Sequence, residues 1–220
     1  MPETSPARPA AQSRNAPAGF SFSEADRGSR RRSSGIVGLN LLLDGGFPTG
    51  TLIMIYGSPT DGIDIAARQF WRTEGEEVGT YLVNDSDPEV GMIDVGEVHP
   101  TMYQDWLVGD RMVIDSISSL VLKYGIDGTL QFLRQAREEI RGTNANILFL
   151  AYTGVHAPIE MTRLMRISDV VIEFKTEVSQ AEILRTLAVQ KIRKAAAPQR
   201  LLPFIITDNG IEASTTSRVV

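Results

Sequence analysis

The sequence predicts an α/β fold with a mainly parallel central sheet, helices on both faces and an antiparallel C-terminal strand extension. Three observations carry this. Apolar runs of strand length alternate with amphipathic helical stretches through the middle of the chain. The runs TLIMIYG, RMVID and NILFLAY are apolar at successive positions, so each strand needs cover on both faces. After SDVVIEFK the helices stop, and RTLAVQKIRK and PFIITDNGIEAS follow as a meander.

In chain order, residues 1–33 read as a disordered tail and residues 34–220 as the folded domain. The tail is rich in Pro, Ala, Ser and Arg, with Phe20 and Phe22 as its only aromatic residues. Such a segment buries too little to offset its ordering entropy. Its basic end, Arg27 to Arg32, either contacts an acidic partner or stays solvated. A short helix around Leu39–Leu43 precedes a Gly/Pro turn. TLIMIYG ends at Gly57, and a helix follows over IDIAARQFWRTEGEE, with Ile63, Ala66, Ala67, Phe70 and Trp71 on one face. GTYLVND is the next strand, and the stretch from Pro88 to Gly109 has no clear period. RMVID leads to an amphipathic helix over GTLQFLRQAREEIRGTN, whose Arg137, Glu138, Glu139 and Arg141 read as a solvated charged face. The strand Leu52–Tyr56 is placed near the sheet centre, beside Met112–Asp115.

Composition excludes several functions. The chain has 220 residues, 42% of them hydrophobic, and a net charge of -5 from 22 basic and 27 acidic residues. That length buries on the order of 70% of the unfolded surface, and the acidic balance argues against a dedicated nucleic-acid binder. Zero cysteines rule out disulfides and thiolate chemistry. The two histidines, His99 and His156, leave little room for a histidine-rich metal site. No apolar run reaches the ~18 residues of a membrane span, and the first residues show no secretion signal. A cytoplasmic protein without membrane contact is expected.

One loop points to chemistry. Strand, glycine-rich loop and helix together bind phosphate, because loop N–H groups and the positive helix end face the anion. The motif spacing is G-x-x-x-x-G-K-S/T. Here the segment is Gly57-Ser58-Pro59-Thr60-Asp61-Gly62-Ile63-Asp64. Both glycines stand at the motif spacing. Ile63 holds the lysine position and brings no cation, and Asp64 holds the position of the metal-ligating hydroxyl. Asp61 and Asp64 add negative charge beside any polyphosphate. A plain strand–turn–helix is the other reading of this loop. The strand Arg111–Asp115 ends in a carboxylate, the placement that holds Mg²⁺ in phosphate-transfer proteins.

Five segments taken in order carry a resemblance: SGIVGLNLLLDGGFPTGTLIMIYGSP, MVIDSISSLV, MRISDVVIEF, RTLAVQKIRK and PFIITDNGIEA. Their order and spacing resemble the KaiC-like branch of the RecA/RadA superfamily of P-loop ATPases, from about Ser34 to Ala213. The resemblance implies a RecA-like P-loop fold with a degenerate Walker A loop. It implies that Asp115 is a Mg²⁺ ligand, and that Asn84 and Asp85 stand at the family's catalytic glutamate pair. Asn84 cannot take a proton, and Asp85 is shorter than glutamate. It further implies that Lys191 and Arg193, a K-x-R element, reach across a subunit interface, with a solvated strand end as the alternative. Thr153 falls where relatives carry a nucleotide-sensing residue, or is a plain strand end.

The function so read is that of a KaiC-like protein that has lost ATP hydrolysis and works as a regulatory or scaffolding, signal-transduction type of binding protein. It would assemble as a homo-oligomer, or with an active paralogue or signalling protein. ATP and Mg²⁺ would be cofactors only if the degenerate loop still binds. The alternative is a divergent active ATPase in which Asp64 or Asp115 holds Mg²⁺, Asp85 is the base, and Lys123 or Lys191 supplies the missing cation. Recombinase-like DNA binding is a third reading, opposed by the acidic balance. His156 and His99 are assigned no catalytic role, and Phe70 and Trp71 read as packing residues.

Overall fold

The computed structural model describes residues 30–72, 75–180 and 182–214. The elements are β1 (Arg31–Arg32), α1 (Val37–Leu42), β2 (Phe47–Pro48), β3 (Leu52–Gly57), α2 (Ile63–Trp71), β4 (Gly79–Val83), β5 (Ile93–Asp94), a 3-10 helix (Pro100–Asp105) and β6 (Arg111–Asp115). Then follow α3 (Ile117–Thr143), β7 (Asn146–Tyr152), α4 (Pro158–Ile167), β8 (Val170–Val178), β9 (Ile183–Ile192), β10 (Leu202–Thr207) and β11 (Gly210–Ala213). Strands β3 to β11 form one sheet in the order β11-β10-β9-β8-β3-β7-β6-β4-β5. The pairs from β8 through β5 are parallel, and β9, β10 and β11 continue antiparallel from β8. The α/β class and the antiparallel extension are therefore as the sequence predicts.

β3 is the middle strand, and all six of its residues are buried. Leu52, Met54 and Tyr56 join a core under α3, α4 and the 3-10 helix, while Ile53 and Ile55 join a second core under α1 and α2. Alternate residues of one strand thus fill two different cores. The neighbours of β3 are β7 and β8, so the expected contact with the strand ending at Asp115 is corrected: β7 lies between them. Two equally apolar parallel strands carry no mark of their order in the sheet.

Three further boundaries differ from the sequence reading. The helix read through Glu77 ends at Trp71, where the Arg111 guanidinium takes the Phe70 carbonyl at 3.1 Å. The long helix begins earlier, at Ile117, behind an N-cap at Ser116, and bends at Gly125. The stretch without a clear period carries β5 and the 3-10 helix, which buries Tyr103 edge-on against Phe132.

The last residues of the segment read as a tail, 30–33, lie within the described fold. Arg31 and Arg32 pair with Pro48 and Phe47, while residues 1–29 lie outside the described chain. Arg32 is buried, with its guanidinium on Glu77 (2.9 Å), Asn146 (2.6 Å) and Asp110 (3.2 Å). Arg111, also buried, reaches Glu77 at 2.6 Å. One carboxylate thus serves two buried cations. Burial raises the Glu77 pKa, but Arg32 and Arg111 outweigh it and hold the group below its ordinary value. Glu77→Ala is expected to lower stability by about 3 kcal/mol or more, since breaking a buried pair strands its partner charge. Urea unfolding of the variant against wild type measures this.

Candidate functional site

Parallel strands bring the ends of β3, β4, β6 and β7 to one edge of the sheet. That edge collects the loop Gly57–Asp64, Asn84, Asp85, Asp115, Thr153 and His156. The sequence-predicted residues from the first three strands are therefore neighbours. Lys191 and Arg193 are not among them. Lys191 pairs in register with Val171 near the start of β8, towards the opposite edge.

The loop begins at Gly57, where a Cβ would meet the Phe174 carbonyl oxygen at 2.9 Å and Asp61 Oδ2 at 3.0 Å. It ends at Gly62, which caps α2 at φ 81°, a left-handed conformation that favours glycine. Between them the Asp61 carboxylate is buried and accepts the Ser58 N–H at 2.5 Å. Ile63 is fully buried in the core beneath α2. Asp64 accepts from Arg68 one turn on, at 2.6 Å, so its charge is balanced within the helix.

Across the edge Asn84, Asp85 and Asp115 each have a partner within the chain. Asn84 Oδ1 accepts the Ser116 N–H at 2.7 Å and its Nδ2 donates to the Ser116 carbonyl at 2.9 Å, a two-point clamp between the ends of β4 and β6. Asp85 accepts from the hydroxyls of Ser119 and Ser116 at the first turn of α3. Asp115 is 5% exposed, and its Oδ2 accepts from the Tyr81 hydroxyl at 2.7 Å. Its Oδ1 is buried with no hydrogen-bond partner. Burial raises its pKa to about 6; Tyr81 opposes the rise, and Asp85 and Asp64 add to it. Tyr152 at the end of β7 is raised as well, chiefly by burial. Among the described residues no three His, Cys, Asp or Glu side chains converge to hold a metal ion.

A row of residues at this edge escaped the sequence reading. Ser118 accepts the Tyr152 N–H at 2.8 Å and lies 2.7 Å from His156 Nε2. The other ring nitrogen, Nδ1, lies 3.9 Å from Glu160. The order Ser, His, Glu resembles a nucleophile–base–orienter row, but Ser118 is 2% exposed and the His156 side chain 1%. No substrate carbonyl reaches that oxygen. The row ties the first turn of α3 to β7 and to the start of α4, and burial lowers the His156 pKa, with Glu160 opposing. Residues so far apart in sequence carry no joint signal. Thr153 donates its N–H to the Gly57 carbonyl at 2.9 Å, linking the two strand ends. Phe70 is fully buried, and Trp71 packs edge-on against Tyr81.

At the opposite edge, Lys191 Nζ donates to the carbonyls of Ser168 (2.6 Å), Met165 (2.9 Å) and Arg166 (3.2 Å) at the end of α4. Arg193 pairs with Asp169 at 3.0 Å. Arg137 pairs with the same buried carboxylate, so the solvated face expected for it is corrected: the α3 turn aims it inward at the start of β8.

The raised Asp115 pKa has a definite sign. Between the ordinary value of 3.8 and about 6 the folded state holds more protons than the unfolded state. Stability from this group therefore falls as pH rises through that window. Asp115→Asn keeps an acceptor for Tyr81 and removes the titration. Relative to this variant, wild type is expected to lose up to about 3 kcal/mol between pH 4 and pH 7. Paired urea titrations across that range check it.

The comparisons with known proteins come to bear on this geometry. A family model described as the KaiC ATPase matches residues 101–217, more than half of the chain and beyond the loop Gly57–Asp64. Among solved structures, a KaiC-like protein of the hyperthermophilic archaeon Pyrococcus horikoshii superposes with a TM-score of 0.68 at 20% identity. The match covers 84% of this chain and 99% of that one. No curated protein matches the chain. With its strand order, helices on both faces and C-terminal meander, the chain belongs to the KaiC family of ATPase domains, in the RecA superfamily of P-loop folds.

Proposed function

We propose that this chain has lost ATP hydrolysis and acts by binding, as a regulatory or scaffolding component of a signalling type of assembly. The observation that carries the reading is the Asp61 carboxylate seated on the Ser58 N–H. In a phosphate loop, N–H groups of this kind are what an anion receives. Here an internal anion takes one of them.

The remaining donor set does not fit a triphosphate with Mg²⁺. The lysine position is a fully buried Ile63, and the hydroxyl position is Asp64, committed to Arg68. Asp115 is buried and aimed at Tyr81. The Asn84 amide is spent on Ser116, and an amide is no general base. The divergent-ATPase reading needs a replacement cation. Lys123 instead donates to the Gly96 carbonyl at 2.8 Å, and Lys191 is held by the carbonyls ending α4. Partners in the proposed assembly are further copies, an active paralogue or a signalling protein.

Calorimetry with ATP and Mg²⁺ is expected to give a dissociation constant above ~0.1 mM, because each lost charged contact costs roughly 1.5–3 kcal/mol. Phosphate release should match a buffer blank. A low-micromolar constant or steady turnover overturns the reading.

A substitution series separates binding from turnover. Ile63→Lys with Asp64→Thr restores the cation and the hydroxyl, and adding Asp61→Ser removes the internal anion. The triple variant is expected to bind ATP at least about tenfold more tightly while turnover stays at background. Adding Asn84→Glu supplies a base worth roughly 10²–10⁴ in rate. It also breaks the donation to Ser116, so stability should drop by about 1–3 kcal/mol. Turnover appears only then, and only if Lys191 and Arg193 reach a neighbouring protomer. Steady phosphate release by the triple variant would mean that Asp85 or another group is already the base.

A further inference from the structure

Between α3 and α4, away from the degenerate loop, lies a groove of about 320 Å³ lined by Leu130, Arg134, Arg163, Arg166 and Ile167. Its floor is apolar: Leu130 is 3% exposed and Ile167 9%. Its rim is cationic. Arg163 pairs with Asp127 at 2.5 Å, whereas Arg134 and Arg166 are exposed and form no ion pair among the described residues. The carboxylates around the groove are already committed. Asp127 goes to Arg163, Glu138 to Arg141, Asp169 to Arg137 and Arg193, and Glu160 to the Ala157 N–H. On a chain whose net charge is -5, Arg134 and Arg166 thus leave a local excess of positive charge that no ion pair among the described residues offsets.

We infer that this groove is a docking site for a short acidic segment of a partner protein, with an apolar side chain between two carboxylates. It rests on the reading of the chain as a binding protein. The geometry matches such a segment in three ways. Guanidinium groups take carboxylates in a two-pronged geometry. The contact of Asp127, whose side chain is 85% exposed, with Arg163 shows a carboxylate seated on this rim. The buried floor between Leu130 and Ile167 offers an apolar residue a place that a continuous phosphate backbone would leave unused. Two unpaired guanidiniums beside a small recess also fall short of the extended basic stripe that tracks nucleic acid.

The test uses the full chain and a fluorescein-labelled peptide of alternating glutamate and leucine, followed by anisotropy. Saturable binding is expected, weakening as salt rises and lost when glutamine replaces glutamate in the peptide. The double variant Arg134→Glu, Arg166→Glu should weaken it by about tenfold or more, with an unchanged thermal midpoint because both side chains are exposed. Shifts of the Leu130, Arg134 and Ile167 amides in NMR titration should locate the contact. Absence of saturable binding overturns the inference, as does equal binding by the reversed variant or tighter binding of a single-stranded oligonucleotide. Tight ATP binding with peptide binding intact would instead overturn the loss of nucleotide chemistry and leave the groove standing.

Discussion

Two-sided burial of the central strands is the constraint on which the rest of this molecule depends. β3 has helices above and below it and strands on either side, so no charged side chain fits along its length. Charge can gather only where the strands start and stop. Both ends of the sheet are therefore crowded with ionisable groups, and the differences between the two ends are the functional content of the structure.

At the end where the parallel strands finish, the groups that position alone would nominate for chemistry have internal partners. Asp61 is seated on the loop N–H of Ser58, Asp85 on two serine hydroxyls and Asn84 on both backbone groups of Ser116. The buried Asp115 Oδ1 and His156 Nδ1 remain without hydrogen-bond partners, and burial has moved both groups toward their neutral forms. Most of the polar side chains at this edge are thus bonded within the chain, and these two buried atoms are the exceptions.

At the end where the parallel strands begin, cations are the scarce groups' counterpart. Arg32 and Arg111 share Glu77, while Arg137 and Arg193 share Asp169, whose Oδ2 also accepts the Leu52 N–H. Burial raises the Asp169 pKa, which the Leu52 N–H and the nearby cations Arg141 and Lys191 oppose. Lys191 closes the end of α4 on three carbonyls, a favourable place for a cation because the helix dipole is negative there. Burial lowers its pKa, and Asp169 pulls the other way. The K-x-R pair thus has a fold-stabilising role inside one chain, whatever it does between chains.

The sequence by itself determined the α/β class, the antiparallel extension and the departures in the loop Gly57–Asp64. These rest on period, apolar runs and residue identity, which are local properties. It also put Asp115 at the end of an apolar strand, and the family resemblance put Asn84 and Asp85 after another; that these two strands are neighbours came from the structure. Tertiary structure alone decided that β7 separates β3 from β6, since strand order leaves no trace in equally apolar strands. It alone joined Arg32 to Glu77 and Arg137 to Asp169, and set Ser118 against His156. Above all it decided where each polar side chain spends its hydrogen bonds. An aspartate at position 61 reads as a charge added to a phosphate loop; only its fold back onto the Ser58 N–H makes it the anion that the loop already holds.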